Sequence, residues 1–122
     1  MRGVLLLLAA GVTPLQAQLV VTTVAGNSYA FRGDGGPATQ AQLSQIYHAI
    51  TDPQGNVYVA DRTNHQVVRI STAGILTVVA GNGIEGFSGD TGRARSAALS
   101  FPAAVALDTA GNLYIADAGN YR

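Results

Sequence analysis

The stretch Phe31-Arg32-Gly33-Asp34-Gly35-Gly36 holds the chemistry most easily read into this chain. Arg-Gly-Asp is a tripeptide that adhesion proteins present to receptors, and a glycine-rich loop with a carboxylate also invites a phosphate or calcium reading. The phosphate reading fails on residue types, because such a loop needs a lysine and a strand-loop-helix setting, and the chain has no lysine. For a hard cation the candidate ligands are Asp34, Asp61, Asp90 and Asp117, since loop carboxylates and carbonyls supply its oxygens. No Asp-x-Asp-x-Asp spacing gathers them. His48 and His65 stand alone on separate segments, and Glu85 is the only glutamate, which leaves little material for a paired-carboxylate mechanism. No Ser-His-Asp grouping stands out by spacing. No residue is therefore assigned a catalytic, cofactor-binding or metal-binding role, no cofactor is expected, and enzyme activity is the weaker expectation.

The second half of the chain tests the adhesion reading. Phe31 to Gly36 returns as Phe87-Ser88-Gly89-Asp90-Thr91-Gly92, keeping Phe, Gly, Asp and Gly but not the arginine. A framework kept twice without its arginine is a structural turn, with the aspartate accepting backbone N–H groups and glycines taking positive φ. The copying extends further. Thr23-Val24-Ala25-Gly26-Asn27 returns at Val78 to Asn82, and Asp52 to Asn64 returns as Asp108 to Asn120. The offset is 55 residues before the glycine-rich loop and 56 after it, so one residue is added between Asn82 and Phe87. His48 and His65 align with Ala104 and Tyr121, and Ile46-Tyr47 with Pro102-Ala103; these positions depart from the repeat.

Each unit has short strands punctuated by turns. Ala49 to Thr51 runs into the turn Asp52 to Asn56. Val57 to Ala60, His65 to Ile70 and Ile75 to Ala80 follow, separated by turns at Asp61 to Asn64 and Ser71 to Gly74. This is an antiparallel meander. Val57 to Ala60 and Leu113 to Ala116 do not alternate with polar residues, so both faces of those strands are expected to be buried. Four-stranded sheets stacked against copies of themselves are the blades of a β-propeller.

The residues Gly55-Asn56-Val57-Tyr58-Val59-Ala60-Asp61 and Gly111-Asn112-Leu113-Tyr114-Ile115-Ala116-Asp117, with Val78 to Asn82 closing a unit, resemble NHL repeats. The long Gly-Phe-Ser-Gly-Asp spacer is similar to that of exported bacterial members of that family. The resemblance implies an all-β, partial β-propeller of about two four-stranded blades, units about 26–80 and 81–122, the second truncated before its third strand. It also implies closure with about six blades, so two units are expected to be a fragment. Leu19 to Ala25 matches the fourth strand, Leu76 to Ala80, and is expected to complete a blade whose other strands are not in this chain. Its unpaired apolar edge predicts self-association.

Residues 1–17 read as a secretory signal. One arginine precedes the apolar run Val4 to Val12, Pro14 breaks it, and cleavage is expected between Ala17 and Gln18. The run is shorter than the roughly 18 to 20 residues of a membrane span, and no later segment is longer. An exported chain, extracellular or periplasmic, is expected, with residues 18–122 as the propeller segment. Seven basic residues balance seven acidic ones, which argues against nucleic acid. Zero cysteines remove disulfides and thiol catalysis.

The connection from Gly26 to about Tyr47, repeated at Gly81 to Ala103, is long for a compact domain. Strand direction places it on the same face as the Asp61 to Asn64 turn. Pro37 to Leu43 is expected to form one or two helical turns. Three functional readings stand: a secreted binding or scaffold module for a protein or glycan partner, a piece of a metal-dependent propeller lyase or lactonase, and a truncated remnant without separate activity.

Overall fold

In the computed structural model, residues 2–8, 19–25 and 31–122 are described. Among the described residues, eight strands make three antiparallel sheets. Strands β1 (Arg2–Leu8) and β2 (Leu19–Ala25) pair with each other. Strands β3 (Ile46–Thr51), β4 (Val57–Asp61), β5 (Gln66–Ile70) and β6 (Leu76–Ala80) form a meander in sequence order. Strands β7 (Pro102–Leu107) and β8 (Leu113–Asp117) repeat its first half. The all-β partial propeller is thus one complete four-stranded blade and two strands of a second.

Why the strands turn where they do is visible in two matched carboxylates. Asp52 Oδ1 accepts the backbone N–H groups of Gln54 and Asn56 at 3.0 and 2.9 Å, and Oδ2 accepts from the Asn56 side chain at 2.8 Å. Asp108 does the same for Ala110 and Asn112 at 3.0 and 2.8 Å. These bonds favour the charged form, chiefly the one from the partner asparagine side chain, and hold both carboxyls below the usual aspartate value.

The blade has a core on each face. On one, Val59, Val68, Ile70, Leu76 and Val78 pack with Ala38, Ala41 and Leu43 of the long connection. On the other, Ala60, Val67 and Ala80 pack with Leu99 and Val105 of the second unit, joined by Leu113 and Ile115. Alternate residues of β4 therefore serve different cores, which explains its unbroken apolar sequence. Each fully buried leucine, valine or isoleucine here is worth about 1.5–3 kcal/mol of transfer free energy. β8 departs from the expectation of two buried faces: Leu113 and Ile115 face the first blade, whereas Tyr114 is 59% exposed. Only one of its faces meets another sheet.

The long connection meets the Asp61 to Asn64 turn as expected, through Gln42 O, the Ser44 N–H and Gln45 O. Its earlier part departs from that place and runs along the outer edge of β6. Gly35 N–H donates to Leu76 O at 2.8 Å, Leu76 N–H to Gly36 O at 2.9 Å, and Ala38 N–H to Gly74 O at 2.8 Å. The cause is the unpaired edge itself, whose backbone groups need partners. A 3-10 turn at Ala38–Gln40, with Pro37 at its start, then reverses the chain. The second unit repeats that turn at Ala94–Ser96.

β2 was expected to have no partner within the chain. It pairs instead with β1, in a register running from Arg2 opposite Ala25 to Leu8 opposite Leu19. A β-branched strand rich in unpaired backbone groups takes the apolar segment that can satisfy them. The expected cleavage point, Ala17–Gln18, lies outside the described residues. Among the described residues, no helix is long and apolar enough to cross a membrane.

Candidate binding surface

The four aspartates considered for a cation are engaged by hydrogen-bond donors. Asp34 Oδ1 accepts the Val78 N–H at 2.8 Å, while Oδ2 meets the Arg95 guanidinium at 2.5 Å. Asp61 is fully buried; it accepts the Ser44 N–H at 3.0 Å and the Asn64 side-chain amide at 2.6 Å. Asp117 repeats this with Ser100 at 2.6 Å and Asn120 at 2.7 Å, and adds Arg122 Nε at 2.9 Å. Asp90 pairs with the same Arg122 guanidinium. Donors stand where a cation would need oxygens, and no three His, Cys, Asp or Glu side chains gather among the described residues.

Burial pushes the Asp61 carboxyl up to about 6, against the opposing pull of Asn64 and Ser44. Gln66 also favours the charged form from beside it, although its own buried Nε2 closes on no acceptor. Asp117, the repeat mate of Asp61, has Arg122 where the first unit has Gln66.

Arg32 of the glycine-rich stretch is exposed, and its carbonyl accepts the Gln42 N–H at 3.1 Å. Gly33 and Gly35 take φ of +138° and +80°. A Cβ on Gly33 would lie 2.6 Å from Ala41 Cβ, and one on Gly89 would lie 2.4 Å from Ala97 Cβ. Both copies therefore use glycine for the same close approach.

The residues that depart from the repeat lie elsewhere, and several of them meet. The ladder between β3 and β4 shifts register between Ile46 and His48, so Tyr47 is the extra residue of a β-bulge. Tyr47 is 61% exposed. The Arg62 guanidinium, in the turn after β4, lies over the Tyr47 ring at 4.7 Å and over the Phe101 ring at 4.9 Å. Such stacking holds a planar guanidinium while leaving its edge donors unspent. Arg62 forms none of the ion pairs seen among the described residues, whereas Arg95 and Arg122 both have carboxylates.

Both histidines tie the two units together. His65 Nδ1 accepts the Phe101 N–H at 3.2 Å and its ring meets the Phe101 ring edge-on at 4.6 Å. His48 Nδ1 accepts the Val105 N–H at 3.3 Å. A ring nitrogen that accepts carries no proton, so each neutral imidazole has its proton on Nε2. His65 and Phe101 have φ of +53° and +50°, and left-handed backbone at two touching non-glycine residues is a local strain.

The sequence marks both histidines only as isolated departures from the repeat and does not single out Arg62 or Phe101. A signal for them was available: Tyr47, His48, Arg62 and His65 align with Ala103, Ala104, Ala118 and Tyr121, and Phe101 with Gln45. Each breaks a repeat whose other positions are spent on the fold.

The family model of the NHL repeat matches residues 49–70. A 98-residue stretch is 32% identical to Teneurin-4 of Homo sapiens, covering 70% of this chain and 4% of that protein, and the Mus musculus protein matches equally. Protein SUPPRESSOR OF QUENCHING 1, chloroplastic, of Arabidopsis thaliana is 29% identical over 96 residues, 77% of this chain and 9% of its own. The chain thus spans less than a tenth of these relatives. Among solved structures, an auxiliary nutrient binding protein from Bacteroides ovatus superposes with a TM-score of 0.57 over 90% of this chain and 29% of the other, at 23% identity; that likeness is one of fold.

Proposed function

The chain is an NHL-repeat protein of partial-propeller form, and on that premise we propose that it is an exported binding module presenting the Tyr47, Arg62, His65 and Phe101 surface to a protein or glycan partner. The observation that carries the reading is the gathering of non-repeat residues at one seam. Asp52, Asp61, Asn64 and Gly33 recur in the second unit and hold the fold. Residues freed from that duty and still brought together across two units are what a recognition surface requires. An exposed aromatic ring and an arginine oriented over it are side chains that contribute most of the affinity in interfaces.

Export rests on the charged start, the apolar run and Ala17. Removal of residues 1–17 would take β1 away from β2 and leave a strand edge free, which supports self-association of the shortened chain.

The test is a glycan array and a peptide array probed with the full chain and with Tyr47→Ala. Binding to a defined group of probes that Tyr47→Ala removes, with its melting curve retained, is the expected result. Hits indifferent to Tyr47→Ala, or no hits on either array, would overturn this reading.

A further inference from the structure

The surface at the seam is made of donors. Arg62 offers the edge N–H groups of a guanidinium already oriented by two rings. His48 and His65 spend Nδ1 on Val105 and Phe101, which turns Nε2–H into a donor on each. Tyr47, an exposed residue, adds a hydroxyl. His48 stands opposite Ala60, and Arg62 follows two residues later, so the donors are spread over roughly 7 Å of strand. The ligand that answers this pattern is rich in acceptors, carries one anionic group for the guanidinium and is flat enough to lie against an aromatic ring.

Resting on the binding-module reading above, we propose that this seam recognises carboxylated sugars, uronate residues of an acidic glycan, with Arg62 taking the carboxylate. A uronate fixes its carboxylate to a rigid ring that also bears several hydroxyl acceptors, so one sugar residue can meet Arg62 and its neighbours together. An aspartate or glutamate side chain brings the carboxylate on a flexible stem without those acceptors. The chain's formal net charge is zero, so its long-range field does not gather polyanions in general. Selection rests on the fork geometry of one arginine.

The experiment is calorimetric titration of the full chain with tri-galacturonate, its fully methyl-esterified form and tri-glutamate, repeated with Arg62→Gln and Arg62→Lys. Tri-galacturonate is expected to bind about tenfold or more tighter than the ester and the peptide. Arg62→Gln is expected to remove that preference. Arg62→Lys, which keeps the charge but loses the planar fork, is expected to lose most of it. Equal affinity for the ester would overturn the carboxylate assignment, and a tri-glutamate preference would make the partner an acidic peptide. Full retention in Arg62→Lys would reduce the effect to charge alone and overturn the fork. No binding of any of the three also overturns the proposal; Tyr47-dependent hits on the arrays would then leave the binding-module reading standing.

Discussion

The carboxylate of Asp34 holds the backbone amide of Val78, 44 residues along the chain, at 2.8 Å. Together with the backbone bonds of Gly35, Gly36 and Ala38, it places the glycine-rich stretch on the rim of the first blade and gives the Arg-Gly-Asp tripeptide its structural explanation. The aspartate is occupied by the sheet and by Arg95, while Arg32 points to solvent.

Asp34→Ala is expected to cost about 1–2 kcal/mol, because the part-buried Val78 N–H loses its acceptor. Arg32→Ser should change stability by no more than about 0.5 kcal/mol. Urea melts of the two variants decide the matter, since similar losses would mean that Arg32 carries weight its exposure does not explain.

Gly33→Ala should be more damaging than a surface glycine replacement, since its φ is +138° and its new Cβ would overlap Ala41. The double variant Gly33→Ala with Ala41→Gly removes the Cβ–Cβ overlap but neither the 2.9 Å approach to the Ala41 Cα nor the dihedral, so partial rescue is expected. A double-mutant cycle measures it, and simple additivity would show that the contact is not the cause.

Thr91 stands where the first unit has Gly35, and it takes φ of +67°. A β-branched residue in that region is strained. Thr91→Gly is therefore expected to stabilise the chain by about 0.5–1 kcal/mol in thermal melts, the strain relieved being offset in part by glycine's entropy. A destabilised variant would show that the threonine side chain earns its place through contacts.

Asp61 sets a pH dependence opposite to that of the turn aspartates. Its folded value of about 6 lies above the ordinary 3.8, so between those values the folded chain binds a proton that the unfolded chain releases. Its contribution to stability therefore rises as pH falls from about 6 to about 4, by on the order of 2–3 kcal/mol. Asp52 and Asp108, with lowered values, lose their contribution as pH falls through the acid range. Denaturant melts from pH 4 to 7 for wild type and Asp61→Asn isolate the difference, and parallel curves would contradict it.

Much of this was legible in the sequence because a repeat aligns residues that do the same work. The turns at Asp52 and Asp108, the strand spacing and the carboxylate of Asp34 as a backbone acceptor all follow from local chemistry seen twice. What escaped was non-local. Nothing in the order of residues says that Gly35 and Gly36 will meet Leu76, or that the rings of Tyr47 and Phe101 will share one guanidinium. The partner of β2 escaped for a related reason: a pattern that resembled a fourth strand fixed what the segment is, while the available edge decided what it pairs with.

The rim cover formed by Gly35, Gly36 and Ala38 belongs to the same unit whose outer strand it protects. The first unit thus brings its own seal, and copying such a block in tandem would add a blade already finished on its outside. Growth by duplication needs no new invention at the margin, only a neighbour on each flat side.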